Sequence, residues 1–182
     1  RHPRVLMVSW ARRWVEETDP STADVSAQAS EANNEHVNDA VGVAKDTLEN
    51  TWKDITARER STLLSKLGRL IEENYDVLAS LEATDVGKPL RQAQADVKAL
   101  ARYMEFYAGA ADKLHGDTIP YLEDYTVYTL REPHGVCAHI IPWNYPMQII
   151  GRSVGAALAT GNTCILKPAE EACLTAVSYT HL

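Results

Sequence analysis

The chain has 182 residues, of which 45% are hydrophobic and 24% charged, and its formal net charge is −7. These near-average values exclude a fibrous or wholly disordered chain and predict one compact domain or slightly more. The acidic balance argues against a nucleic-acid partner, because such proteins usually present a basic face. Residues 1–13 hold four arginines and no acid, so their +4 leaves −11 on the other 169 residues.

The sequence predicts neither a membrane span nor a disulfide framework. No apolar run approaches the roughly 20 residues of a membrane helix, and the run at residues 5–8 is too short for a signal peptide. The basic start leaves a transit peptide open as an alternative, and the lack of an initiating Met leaves open that the true start is missing. Three cysteines without metal-binding spacing favour a reducing compartment, so we expect a cytoplasmic protein.

Two short strands are predicted before the first helix. The first would place Trp10, Trp14 and Val15 at an edge, and a turn signal follows at residues 19–22. Small apolar residues that alternate with polar ones over residues 25–29 predict the second strand.

Four amphipathic helices follow, because apolar residues recur there at helical spacing. Asn34 is the expected N-cap of the first helix. Thr56 and Glu59 match a capping box, in which each side chain satisfies a backbone amide of the other residue. Gly116 is the expected stop of the last helix. The four helices are predicted over residues 34–48, 57–73, 75–85 and 91–114.

After the helices the pattern changes to strand formers. Tyrosines and apolar residues around Glu123 and Asp124 predict a hairpin arm. Strands over residues 135–141 and 164–166, with a small-residue helix over 151–160 between them, predict a βαβ unit and a parallel sheet.

The remaining glycines, cysteines and histidines are assigned structural roles. Gly151 and Gly155 do not fit G-x-G-x-x-G, and we expect them to allow close packing of the helix on the sheet. Cys137 and Cys164 fall in the predicted buried strands, which favours inert core thiols over nucleophiles. His139 is expected to satisfy a local hydrogen bond. No His/Cys cluster has metal-binding spacing, so we expect no metal.

Residues 141–146 follow the first parallel strand, at the edge where ligands of α/β sheets bind. Pro142 and Pro146 stiffen this turn and hold Asn144 as a fixed amide with two N–H donors. A fixed donor stabilises an oxyanion as its charge develops, without reorganisation. The alternative is that Asn144 caps the helix or bonds the turn.

A second candidate segment follows the second parallel strand. Lys167 and Glu170 lie three residues apart on a turn with Pro168 and Ala169. The carboxylate can accept both hydroxyls of a ribose, as acidic residues do in dinucleotide folds, while the ammonium binds a neighbouring anion. The alternative is a solvated, charged loop.

Seven segments match one known family in order along the chain. They are residues 85–90 (DVGKPL), 107–109 (YAG), 112–116 (DKLHG), 128–136 (YTLREPHGV), 141–146 (IPWNYP), 156–163 (AALATGNT) and 166–170 (LKPAE). Together they resemble the first part of an NAD(P)-dependent aldehyde dehydrogenase, and the resemblance covers about residues 19–174. Ordered motifs over most of a chain are highly specific.

The resemblance implies an α/β fold class. It comprises a helical amino-terminal segment, a β-hairpin arm and the first βαβ unit of a Rossmann-like parallel sheet, in an incomplete domain. The implied division leaves residues 1–18 unassigned, gives 19–118 to the helical part of the cofactor-binding domain, 119–133 to an oligomerisation arm and 134–182 to the truncated βαβ unit.

The resemblance also implies an oxidoreductase that converts an aldehyde to a carboxylic acid through a cysteine nucleophile. NAD would be the cofactor, with NADP as the other option, and the enzyme would be a homodimer or homotetramer. One residue would donate to the oxyanion, and others would line the cofactor cleft or face the adenosine ribose. The implied site residues are Asn144 for catalysis and, for the cofactor, Ile141, Pro142, Trp143, Lys167, Pro168, Ala169 and Glu170.

The chain departs from the family pattern in several respects. Family chains are much longer, and the nucleophilic cysteine, the base glutamate and a glycine turn would lie beyond Leu182. Arg152 stands where many members carry a lysine, and residues 1–13 and 178–182 match nothing in the pattern. We therefore expect this chain alone to be inactive. Two alternatives stay open: a module that binds a partner through the hairpin arm, and a separate domain that sequesters a dinucleotide.

Overall fold

The computed structural model describes residues 14–20 and 22–179. None of the helices in these two ranges combines the length and the apolar character that crossing a membrane requires. The strands are β1 (Trp14–Thr18), β2 (Val25–Ser30), β3 (Thr118–Ile119), β4 (Val127–Tyr128), β5 (Val136–Ile140) and β6 (Thr163–Lys167). The α-helices are α1 (Asn34–Asn50), α2 (Ala57–Glu73), α3 (Tyr75–Val86), α4 (Leu90–Ala110), α5 (Pro146–Ala159) and α6 (Leu174–Tyr179), with a 3-10 turn at Trp52–Asp54.

Helix α4 is the centre of the packing, because it contacts α2, α3 and α5. Its apolar residues recur every three or four positions, so they form one buried stripe along the helix. Among the described residues, the largest fully buried apolar side chains include Ile71, Leu78, Leu100, Met104, Ile141, Met147, Ile150 and Val97. The stripe therefore joins the helical segment to the start of α5, where the candidate site lies.

The six strands pair as three two-stranded ladders among the described residues. β1 with β2 and β3 with β4 are antiparallel, whereas β5 and β6 run parallel with α5 as their crossover. The parallel pair confirms the predicted βαβ unit, and β3 with β4 confirms the predicted hairpin. Trp10, which we assigned to the first strand, lies outside the described residues.

The helix starts agree with the capping rules, with one correction. Asn33, not Asn34, is the N-cap of α1, since its side chain accepts from the His36 amide at 3.0 Å while His36 Nδ1 accepts from the Asn33 amide. At α2 the capping box forms as predicted. Glu59 Oε2 accepts from the Thr56 amide at 2.8 Å, and Thr56 Oγ1 accepts from the Glu59 amide at 3.3 Å.

Two predicted helix bounds are wrong, by four residues at the end of α4 and by five at the start of α5. Helix α4 ends at Ala110 rather than residue 114, and Gly116 is not its stop: a side chain at Gly116 would collide with the Thr129 carbonyl across the hairpin. Helix α5 begins at Pro146, five residues before residue 151, because proline fits the first helical position without losing a bond. Residues 178 and 179 belong to α6.

The glycines of α5 pack on a helix rather than on the sheet, which corrects our expectation. A Cβ on Gly151 would lie 2.8 Å from Tyr103 Cδ2, and a Cβ on Gly155 would lie 2.7 Å from Tyr107 Cδ2. Real Cβ atoms do not approach a side chain so closely. The two glycines therefore let α5 lie directly against the aromatic residues of α4.

The thiol and imidazole groups of the parallel strands agree only in part with expectation. Cys137 and Cys164 are half-buried, and Cys164 packs against the hydrophobic core. Burial, together with the neighbouring Cys137, raises the pKa of Cys164 to about 12, so this thiol stays protonated at neutral pH. The expected local hydrogen bond of His139 is absent at Nε2, which is buried without a partner within the described ranges.

Candidate functional site

The two candidate segments meet at one edge of the parallel sheet. Ile140 is the register partner of Lys167, and the Ile141 amide donates to the Lys167 carbonyl at 2.9 Å. Ile141 itself is buried, so it anchors the turn that follows β5. The sequence correctly placed both segments at the carboxyl ends of neighbouring parallel strands, where ligands of α/β folds bind.

Asn144 presents its side-chain amide to solvent at this edge. The residue is exposed, and its side chain forms no hydrogen bond within residues 14–20 and 22–179. The N-cap of α5 is Tyr145, without a side-chain cap bond, so Asn144 does not cap that helix. Neither form of the structural alternative is observed, and the amide N–H groups remain available to an acceptor.

The backbone of Asn144 is held by Lys88, a residue of the 85–90 segment to which the sequence assigned no role at the site. Lys88 Nζ donates to the Asn144 carbonyl oxygen at 3.3 Å and lies 4.8 Å from the centroid of the Tyr145 ring. The Tyr145 hydroxyl in turn accepts from Gln92 Nε2 at 2.7 Å. The turn is therefore attached to the segment that joins α3 to α4.

Two buried carboxylates hold the ammonium of Lys88 in place. Lys88 Nζ is 2.9 Å from Glu82 Oε1 and 2.8 Å from Asp96 Oδ2, and the side-chain exposures are 7%, 0% and 2%. Gln148 Nε2 donates to Asp96 Oδ1 at 2.7 Å, and Thr175 Oγ1 donates to Glu82 Oε2 at 2.9 Å. We call these five side chains the Lys88 network; it joins α3, α4, α5 and α6.

Burial and the ion pairs act against each other on the pKa values of the Lys88 network. Burial raises the pKa of Glu82, although the hydrogen bonds from Lys88 and Thr175 oppose the rise. Burial alone would lower the pKa of Lys88, but its bonds to Asp96 and Glu82 outweigh this and raise the pKa. A protonated lysine between two carboxylates offsets the free-energy cost of burying these charges in the protein interior.

One sequence signal could have revealed the Lys88 network. Asp96 stands with Ala93, Val97 and Leu100 at helical spacing, so a carboxylate occupies a core-facing position of α4. Glu82 stands likewise on the buried side of α3. Buried carboxylates are almost always paired, which predicts a nearby cation, although the sequence could not show which one.

The predicted ribose-binding residues lie in a short turn after β6. Lys167 and Glu170 are exposed, and their side chains form no hydrogen bond or ion pair within the part of the chain that the structure describes. An isolated bridge between Ala169 and Ala172 closes this turn. Both charged groups are thus free to meet a ligand, and their exposure equally fits the alternative of a solvated loop.

Apolar surface lies beside these polar groups. Ile140 is 80% exposed and Trp143 is 58% exposed at the same sheet edge, and Pro142 is also exposed. Large exposed apolar side chains next to free hydrogen-bonding groups form a surface patch that suits a ligand or a protein surface with both apolar and polar parts. The arrangement can therefore hold a planar ring system, bind hydroxyls through Glu170 and donate to an anion through Asn144.

The hairpin forms a second exposed apolar surface, which precedes both candidate segments in the chain. The exposed large side chains on and around β3 and β4 are Ile119, Tyr121, Leu122, Tyr125, Tyr128 and Leu130. Tyr121 and Tyr125 stack edge to face with ring centroids 5.8 Å apart.

Comparison with known proteins gives consistent results over nearly the whole chain. Residues 8–182 match the aldehyde dehydrogenase family, a wider range than the resemblance in the sequence indicated. The chain is 46% identical over 160 residues to aldehyde dehydrogenase family 2 member B4, mitochondrial, of Arabidopsis thaliana, covering 87% of this chain and 30% of that protein. It is 39% identical over 170 residues to aldehyde dehydrogenase [NAD(P)+] 2 of Saccharomyces cerevisiae, covering 92% and 34%.

A solved structure agrees with the fold. The NAD+ complex of an aldehyde dehydrogenase from Bacillus cereus superposes with a TM-score of 0.90 at 42% identity, covering 93% of this chain and 35% of that one. The chain therefore spans about a third of the length of the relatives that it matches.

Proposed function

The chain belongs to the aldehyde dehydrogenase family, and we propose that it is the amino-terminal part of an enzyme that oxidises an aldehyde to a carboxylic acid. The proposed reaction uses NAD(P)+ and passes through a thiohemiacetal. The observation that carries the proposal is the exposed, unbonded amide of Asn144 at the carboxyl ends of two parallel strands.

In this proposal Asn144 supplies the side-chain half of an oxyanion hole. When a thiolate attacks the aldehyde carbon, the carbonyl oxygen takes on negative charge, and a donor already in place stabilises that charge without reorganisation. Asn144 suits the role because its amide has no competing bond within the described residues and its backbone is fixed by Lys88. The stabilisation appears only as charge develops, so it lowers the barrier rather than strengthening substrate binding.

The residues at the sheet edge fit a dinucleotide. NAD(P)+, when bound, supplies the chemistry of a hydride acceptor. Glu170 would accept from the adenosine ribose hydroxyls, and Lys167 would bind a neighbouring anionic group, since both side chains are exposed and unbonded among the described residues. Pro142 and Trp143 would contact the cofactor through their exposed side chains, whereas the buried Ile141 would do so only through its backbone. Pro168 and Ala169 would shape the turn, and the Bacillus cereus relative was solved with NAD+.

The nucleophile and the general base are proposed to lie outside these 182 residues. Cys164 is protonated at neutral pH because its pKa is about 12, and a thiol in that state does not attack a carbonyl. Cys137 is half-buried and Cys173 is buried, so neither is placed as an exposed nucleophile. We accordingly propose that the chain alone does not oxidise aldehydes.

Further parts of the proposal concern assembly and location. The hairpin would be an oligomerisation arm, because its exposed tyrosines and leucines need a partner surface in a homodimer or homotetramer.

The division of the chain at residues 18, 118 and 133 and its cytoplasmic location remain predictions. The Arabidopsis relative is named as mitochondrial, so targeting is best tested directly by fractionation.

The experiment is steady-state turnover by the full-length protein that contains this chain. A panel of aliphatic and aromatic aldehydes is offered with NAD+ or NADP+, and reduced cofactor and carboxylic acid are quantified together. We expect both products in equal amounts. Cofactor binding without turnover would favour the dinucleotide-binding alternative, and neither binding nor turnover would favour the partner-binding module.

A further inference from the structure

Lys88 has the geometry of a positioning group rather than of a surface charge. Its side chain is 7% exposed, and its three ammonium donors have three oxygen partners: Glu82, Asp96 and the Asn144 carbonyl. The first two partners belong to helices α3 and α4, whereas the third belongs to the turn that carries the candidate oxyanion donor. One buried cation thus fixes the distance between the helical segment and that turn.

Neutralising the two carboxylates would not require the third contact. Lys88 follows Glu82 by six residues and precedes Asp96 by eight, whereas Asn144 is 56 residues away. The same turn is held a second time, through Tyr145, by the Lys88 ammonium over its ring and by Gln92 at its hydroxyl. Both attachments act on the two residues that immediately precede α5.

We propose that Lys88 is a positioning residue that fixes the backbone of the 141–146 turn through the Asn144 carbonyl and so sets the direction of the Asn144 side-chain amide. The carbonyl carbon and the side chain are bonded to the same Cα, so a shift of the turn backbone that carries the Asn144 Cα also displaces the side-chain amide. A displacement of about 1 Å at a catalytic group costs on the order of 10²-fold in rate. The expected effect of Lys88 on catalysis rests on the proposed function, whereas its hydrogen bond to the Asn144 carbonyl does not.

The first test measures hydrogen exchange in the 182-residue chain. The variants are Lys88→Met, which removes the donors, and Lys88→Arg, which keeps the charge between the carboxylates but presents a fork in place of a point charge. The control is Lys98→Met, since Lys98 lies on the exposed side of α4 over Tyr75. Exchange is read at the Ile141 and Ile149 amides, which bond to Lys167 and Tyr145.

We expect exchange at these two amides to be about tenfold faster in both Lys88 variants, as for loss of one hydrogen bond to a charged group, and unchanged in Lys98→Met. Exchange within α2 should stay at its original rate. If Lys88→Met unfolds the whole chain, the exchange rates of the Ile141 and Ile149 amides in Lys88→Arg decide the test. Unchanged exchange at Ile141 and Ile149 in a folded Lys88 variant would overturn the proposal.

The second test is a double-mutant cycle in the full-length protein. Lys88→Arg should lower kcat by roughly 10-fold with little change in the aldehyde KM, because the misplaced amide acts on developing charge. In an Asn144→Ala background the same substitution should change kcat by less than about twofold, since there is no amide left to position. If Lys88→Arg lowers kcat by the same factor in the wild-type and Asn144→Ala backgrounds, its effect is generally structural and the proposal is overturned.

The two tests separate this inference from the proposed function. If the wild-type full-length protein turns over no aldehyde, the proposed function fails while the exchange experiment still decides whether Lys88 fixes the turn. If turnover is present but the exchange rates and the cycle show no coupling, the function stands and the positioning role is wrong.

Discussion

At the scale of single residues, Asn144 is the most direct test of the chemistry. In the full-length protein, Asn144→Ala should slow kcat by roughly 10²–10³-fold, the usual cost of losing one oxyanion donor. The aldehyde KM should change little, because the donor acts on charge that appears after attack. Asn50→Ala is a matched control, since Asn50 is exposed and its side-chain amide donates to Asp46 within α1. A raised KM with unchanged kcat would mean that Asn144 positions substrate.

Glu170 decides the assignment of the ribose site. A carboxylate there accepts from both ribose hydroxyls of NAD+ but faces like charge in the 2′-phosphate of NADP+, so NAD+ should be preferred. Lys167 softens the preference, because its ammonium can pair with that phosphate. Glu170→Ser should narrow the gap in kcat/KM between the cofactors, mainly through KM.

The neighbouring acid provides the control for this substitution. Glu171 is also exposed, so Glu171→Ser tests whether any negative charge in the turn suffices. Glu171→Ser should leave the ratio of kcat/KM with NAD+ to kcat/KM with NADP+ unchanged. If the ratio is also unchanged in Glu170→Ser, Glu170 is a solvated loop charge and the ribose assignment is wrong.

Cys164 tests the assignment of the cysteines as structural thiols. A pKa of about 12, against an ordinary value of 9.0, lowers the thiolate fraction near pH 8 about 10³-fold, and alkylation proceeds through the thiolate. Iodoacetamide should therefore label Cys164 about 10³ times more slowly than it labels the urea-unfolded chain. Mass spectrometry of the peptide, with Cys164→Ser as the blank, measures the rate. Equal labelling in folded and unfolded chains would contradict the burial.

At the scale of elements, the contact between α4 and α5 depends on two glycines. Gly151→Ala would place a Cβ 2.8 Å from Tyr103 Cδ2 and 3.1 Å from Leu100 Cδ1, so α5 must move away from α4. We expect a loss of about 1–3 kcal/mol in the free energy of unfolding, as for other overpacked sites.

A second glycine gives the opposite expectation for the same substitution. Gly42 is an exposed position of α1, and a Cβ added there would meet nothing within 4 Å, so Gly42→Ala should stabilise the chain by about 0.5–1 kcal/mol. Urea unfolding of both variants, followed by far-ultraviolet circular dichroism, gives the comparison. If Gly151→Ala is as stabilising as Gly42→Ala, the two helices are not in close contact.

The element types were predictable because their signals are local. The capping box at Thr56 and Glu59 needs only four residues, and it forms as predicted. The ends of α4 and α5 were missed because they depend on partners far along the chain. Gly116 is required by Thr129 across the hairpin, and Pro146 begins a helix whose first turn is buried against α4.

At the scale of the whole molecule, topology made part of the candidate site predictable. Two parallel strands joined by a helix bring their carboxyl ends to one edge, so the order of the elements alone places Asn144 and Glu170 at the same edge of the sheet. Lys88 could not be assigned in this way, since its partners lie six, eight and 56 residues away. Sequence spacing shows which charges lie on a buried face, but the fold decides which cation neutralises them.

The proposal that the nucleophile and the general base lie outside these 182 residues leads to the last prediction. The 182-residue chain should show no aldehyde-dependent reduction of NAD+ or NADP+, because groups that act as a unit lose almost all activity when one is missing. Absorbance at the wavelength of the reduced cofactor measures this, with the full-length protein as the positive control. Activity that disappears in Cys137→Ala, Cys164→Ala or Cys173→Ala would contradict the prediction, since it would place the nucleophile within the chain. Activity that survives in the triple variant would come from a contaminating enzyme, because no thiol nucleophile would remain in the chain.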